Sequence, residues 1–173
     1  MEGASERNCA PEKGGWEMRK LLLGLMLTAI PAIAQQAPDV EHNKAVVREF
    51  FTDVLDRGQL QHYTDSHAPN FVAHSNRDYS LAEDKAIATD ERHAAPDLRV
   101  QIIQLLGDGD MVAVYWTVSG TNTGDGMGLK ATGKPFSTPG ATFMRLKDGK
   151  IIEEWNAWSY LSILQQVGVL PAK

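Results

Sequence analysis

The chain has 173 residues, with 17 Lys or Arg against 22 Asp or Glu and a net charge of -5. That length fits one domain, and an acidic balance with no basic stripe excludes a surface built for nucleic-acid phosphates. Its single cysteine is Cys9, so the body of the chain has neither disulfides nor thiol chemistry to draw on.

Residues 1–17 are polar, contain glycine and lack periodicity, and they read as an upstream segment before a start at Met18. Residues 18–34 follow the layout of a secretory signal. Met18-Arg19-Lys20 is basic, residues 21–30 are apolar, and Ala32-Ile33-Ala34 offers a cleavage site before Gln35. The apolar run is short for a membrane span. The expectation is export to the periplasm or beyond, with no stable membrane anchor once the signal is cut; an uncleaved anchor is the alternative. The domain is then residues 40–170.

Val47, Phe50, Phe51, Val54 and Leu55 form one apolar stripe at helical spacing, capped by Asn43 or Asp39 and stopped by Gly58. A second short helix is expected over residues 60–66 and an extended piece over residues 71–74. Ser80 and Glu83 have capping-box spacing and open a third helix to about His93, ended by Pro96. The period then changes to two. Residues 99–106 and 111–119 read as strands around Gly107-Asp108-Gly109-Asp110, residues 120–128 must turn, and residues 127–131 suggest a short strand.

Asp148-Gly149 lies between two β-prone runs, the strongest short hairpin signal. An unbroken ladder from that turn sets Trp155 opposite Thr142 and Glu153 opposite Met144. Glu153, Trp155, Ala157 and Ser159 then share one face. A helix follows over residues 160–167, stopped by Gly168. Helices first and strands later imply an α+β layout with helices on one face of an antiparallel sheet.

Six segments in order resemble the SnoaL-like polyketide cyclases of the nuclear-transport-factor-two-like superfamily, the "ester cyclase" type. They are Asn70-Phe-Val-Ala-His74, Ala95-Pro-Asp-Leu-Arg99, Gly107-Asp-Gly-Asp-Met-Val-Ala-Val-Tyr-Trp116, Gly120-Thr-Asn-Thr-Gly124, Asp148-Gly-Lys-Ile-Ile-Glu-Glu-Trp155 and Leu164-Gln-Gln-Val-Gly168. The resemblance implies a cone-shaped α+β barrel, a curved sheet wrapped around helices with a pocket in the cone, and a homodimer through the sheet. It also implies acid/base chemistry on a small hydrophobic molecule without cofactor. Two positions depart from it. Asn122 stands where the family's Gly-Thr-His-Thr-Gly has histidine. Ser159 stands where the cyclases place the aspartate that serves as acid and base, and no aspartate lies between Asp148 and Lys173. A serine hydroxyl cannot replace that carboxylate, so the alternatives are a binding protein without turnover and a dimeric scaffold.

His74 matches the family's pocket histidine and is the first candidate acid/base, the alternative being a structural histidine at a strand end. Glu153 is next if it points inward, since burial would raise its pKa; a solvated strand acid is the other reading. Ser159 and Asn122 are candidate hydrogen-bonding groups. Trp116, Met144, Trp155 and Trp158 are candidate pocket walls or plain core. His93 and Asp97 either pair or serve the helix end. His42, His62 and His67 read as solvent-facing, and no spacing in the chain suggests a metal site.

Overall fold

The computed structural model describes residues 39–171. The upstream segment and the expected signal lie outside them. Helix α1 (Val40–Glu49) is capped by Asp39, whose side chain accepts the His42 N–H, and continues as a π-helical stretch over Phe50–Asp56. Together they bury Val47, Phe50, Phe51 and Val54 and pack half-buried Leu55 against the same core, the stripe read from the sequence. Gly58 takes a positive φ of 72° and ends it. The expected second helix shrinks to a 3-10 turn, Leu60–His62.

Strand β1 (His67–His74) begins earlier than expected and leads into β2 (Asp78–Ser80). Helix α2 (Leu81–Ala94) opens on the full capping box, Ser80 and Glu83 each bonding the other's backbone N–H. Strands β3 (Arg99–Asp108), β4 (Met111–Thr121), β5 (Pro135–Lys147) and β6 (Lys150–Trp158) follow, then helix α3 (Tyr160–Gln166). The expected strand at residues 127–131 is only a bridge between Gly126 and Leu129.

The six strands form one curved sheet in the order β2-β1-β6-β5-β4-β3. It is mixed rather than wholly antiparallel, because β1 runs parallel to β6. The sheet does not close, and the fold is the cone-shaped α+β architecture. The inner face carries Val112, Val114, Trp116, Met144 and Ile151 against Phe50, Phe51 and Val54 of the first helix. A second cluster under α3 gathers Ala95, Leu98, Phe136, Ile163 and Val167.

The β5–β6 hairpin turns on Asp148 and Gly149 with φ of 52° and 71°, the sign pair of a type I′ turn. Its register differs from the unbroken ladder. Leu146 pairs with Ile151 and Arg145 with Glu153, so Ile152 is one extra residue, a bulge. Trp155 therefore pairs with Phe143 rather than Thr142, and Glu154 rather than Glu153 pairs with Met144. One extra residue exchanges the two faces of the rest of the strand. Glu154, Asn156 and Trp158 turn inward, and Glu153, Trp155 and Ala157 turn outward.

Candidate functional site

Three rows of side chains cross the inner face. Val112, Met144, Glu154 and Ala73 form one; Leu105, Val114, Thr142 and Asn156 the next; Ile102, Trp116, Gly140 and Trp158 the third. Over them lies a cavity of about 300 Å³, bounded on its other sides by the first helix, α2 and α3. Its walls are mostly apolar, with Phe51, Leu98, Leu129, Phe136 and Ile163 among them.

One part of the wall is polar. The Trp116 indole Nε1–H donates to Thr142 Oγ1 at 2.8 Å, that hydroxyl donates to Asn156 Oδ1 at 2.5 Å, and Asn156 Nδ2 donates to Glu154 Oε1 at 2.6 Å. Across from this chain, α2 contributes Asp84, Glu91 and Arg92. Tyr63 donates its hydroxyl to Asp84 Oδ2 at 2.5 Å.

Burial dominates the electrostatics. Glu154 is 4% exposed. Its desolvation, with the nearby Asp84 and Glu91 carboxyls adding to it, pushes its pKa up to about 8. Glu91 is half-buried and opens onto the cavity; burial first, then Asp84 and Asp90, push it up to about 7. Asp84 is also raised by burial, against the opposing pull of the Tyr63 hydroxyl, and burial beside Asp84 drives the Tyr63 phenol well above its ordinary range. Glu154 and Glu91 therefore titrate near neutral pH and can both give and take protons, which general acid/base catalysis requires. Among the described residues no three His, Cys, Asp or Glu side chains are arranged to hold a metal ion.

Trp116, Asn122, Met144 and Trp158 all line the cavity. Asn122 is committed to its own loop. Its Nδ2 donates to the carbonyls of Ala94 and Gly124, and its Oδ1 accepts from the backbone and hydroxyl of Thr132. His74 borders the cavity, but its ring is held on the outer face of the sheet. It stacks on Trp155 with centroids 4.9 Å apart, meets Asp78 through Nδ1 at 2.8 Å and lies 3.6 Å from Glu153 through Nε2.

Glu153 and Trp155 lie on that outer face beside Arg145 and do not line the cavity. Ser159 does not line it either: it is the N-cap of α3, its hydroxyl accepting the Ser162 N–H.

Other histidine readings change too. His67 is 4% exposed, packed among Phe50, Tyr63 and Phe71, and burial lowers its pKa to about 4. It is not solvent-facing, because the turn at Leu60–His62 stops short and β1 starts at His67 itself. Asp97 pairs with the backbone and hydroxyl of Thr121 rather than with His93.

The inward acids Asp84, Glu91 and Glu154 were not singled out from the sequence. The signal for Glu154 was its neighbour: a Glu-Glu pair on a strand sends one acid to each face, and only the bulge decides which.

Several solved structures share the fold. AclR of Streptomyces galilaeus, a proposed hydroxylase, superposes with a TM-score of 0.72 at 27% identity, over 78% of this chain and 85% of that one. A proposed SnoaL-like polyketide cyclase from Jannaschia sp. CCS1 gives 0.70 at 22% identity, over 78% and 96%. A proposed polyketide cyclase from Acidithiobacillus ferrooxidans gives 0.64 at 25% identity, over 73% and 94%. No curated protein matches the chain. Residues 45–167, most of the chain, match the family model of the SnoaL-like polyketide cyclases, and the chain belongs to that family.

Proposed function

We propose that this protein binds a small, mainly apolar molecule in the inner-face cavity and acts on it by acid/base chemistry centred on Glu154. The observation that carries this reading is the Glu154 carboxyl, 4% exposed on the cavity wall and oriented by a hydrogen-bond chain running back to Trp116; that burial raises its pKa to about 8. Ring closure, isomerisation and hydrolysis of this kind are redox-neutral: their bond changes are assisted by proton transfer, with water as the co-reactant of hydrolysis, and they need no redox partner. Proton transfer falls to Glu154 rather than to His74, whose ring is engaged on the outer face. In this reading Glu154 takes over the role of the aspartate that the family resemblance would set at Ser159. A volume of about 300 Å³ lies at the small end of ligand pockets, which favours a compact molecule over an extended polyketide.

The test is turnover of a panel of small β-dicarbonyl compounds by the wild-type protein and by Glu154→Gln. Loss of roughly a hundredfold or more in kcat on substitution supports the assignment; equal rates remove it. A second reading, binding without turnover, is favoured by Ser159, whose hydroxyl caps α3 and which does not line the cavity. Native mass spectrometry of the purified protein separates the two: an intact ligand in one-to-one amount with no product formed points to binding alone.

Two further proposals complete the reading. The protein is exported, with its mature chain starting at Gln35, which N-terminal sequencing of the exported form checks. It also forms a homodimer through the outer face of the sheet.

A further inference from the structure

Resting on the reading of the cavity as the binding site, we propose that its occupant is an apolar molecule bearing a protonated amine, seated with the cation between Glu154 and Glu91. The polar part of the wall has acceptors in excess. Asp84 is taken by the Tyr63 hydroxyl. Glu154 uses Oε1 for the Asn156 amide, while its Oε2 has no hydrogen-bond partner among the described residues, although the side chain is almost wholly buried. Glu91 has none on either oxygen among those residues.

The basic residues of the lining do not answer these acids. The His74 ring is on the outer face with Asp78 and Trp155. Arg92 donates its guanidinium to the backbone carbonyls of Leu98, Leu55 and Asp56.

A buried carboxylate without a donor is costly, so Glu91 and Glu154 hold their protons up to about pH 7 and about pH 8. An ammonium supplies a full charge and three N–H donors at once. Its hydrocarbon part meets Phe51, Leu98, Leu129, Phe136 and Ile163. A neutral ligand meets only acids that must stay protonated to be tolerated. The exchange balances simply: the cavity carboxyl releases its proton to solvent as the ammonium arrives, and no covalent bond changes.

The full-length protein is titrated calorimetrically with 1-naphthylmethylamine and with its neutral isostere, 1-naphthalenemethanol, at pH 8 and pH 5. Each titration is run in two buffers of different ionisation enthalpy. Glu154 is faced by Tyr63, Asp84 and Glu91, and Glu91 by Asp84, Asp90 and Arg92, with Tyr160 of α3 near Asp90 and Glu91. Glu91 and Glu154 lose their protons as pH rises through about 7 and about 8.

The expected result is that the amine binds about tenfold or more tighter than the alcohol at pH 8, with proton release. That preference collapses at pH 5. Glu154→Gln and Glu91→Gln each move the affinity ratio towards unity at pH 8. If alcohol and amine bind alike at pH 8 without proton release, the cavity stands as a binding site and the amine class is overturned. If both variants keep the wild-type ratio, the acids do not read the ligand and the proposal is likewise overturned. If neither probe binds the folded wild-type protein, the reading of the cavity as the binding site fails and takes the proposal with it.

Discussion

At the scale of single residues, burying Glu154 has a consequence for stability whose sign is fixed. Its carboxyl goes from an ordinary value of 4.5 to about 8 in the folded state. Between those values the folded protein holds a proton that the unfolded chain has lost, so stability falls as pH rises through that window. Glu154→Gln has no proton to lose. It is expected to flatten the curve and to raise stability at pH 9 by about 2 kcal/mol or more, read from urea melts at several pH values. An unchanged pH dependence would contradict the burial assigned to it. Thr142→Val tests the chain behind Glu154. The valine leaves the Trp116 indole N–H without an acceptor and Asn156 without a donor, which should cost about 1–3 kcal/mol. A neutral substitution would mean the chain is not formed.

At the scale of elements, much of the layout was legible because each signal was local. The stripe of α1, the Ser80/Glu83 capping box and the Asp148-Gly149 turn all involve residues within a turn or two of each other, and each forms as read. The β6 register was not legible. Ile151 and Ile152 are equally suited to a strand, and nothing in that pair announces which is the extra residue. Yet that residue decides whether Glu153 or Glu154 reaches the cavity. His67 was misread for a related reason: its partners Phe50 and Phe71 lie beyond the local window.

The same scale carries a packing prediction. Gly140 pairs with Trp116, and a Cβ built on it would lie 2.4 Å from the indole ring. Gly140→Ala should displace Trp116, cost about 1–3 kcal/mol and shift the tryptophan emission. An unshifted spectrum with unchanged melting would contradict the close approach.

At the scale of the whole molecule, the two faces of the sheet divide the work. The inner face holds the cavity. The outer face carries a row across five strands, Leu106, Ala113, Phe143, Trp155 and His74. Leu106, Tyr115 and Phe143 on that face are each about half exposed, at 58%, 47% and 48%. Exposed apolar side chains gathered on one sheet face are the ground on which the homodimer is proposed. Sedimentation velocity should give a dimer for the wild type and a monomer for Phe143→Glu; a wild-type monomer at micromolar concentration would remove the proposal.

Which acid of the Glu-Glu pair faces the cavity decides what chemistry the site can do, and the titration of the two carboxyls tells them apart. Carbon-13 NMR of the side-chain carboxyls, assigned with Glu154→Gln and Glu153→Gln, follows each group through its own titration. The Glu154 carboxyl is expected to titrate near pH 8. A Glu154 transition among the ordinary carboxyls near pH 4.5, with Glu153 as the displaced one, would place the bulge elsewhere and contradict that assignment.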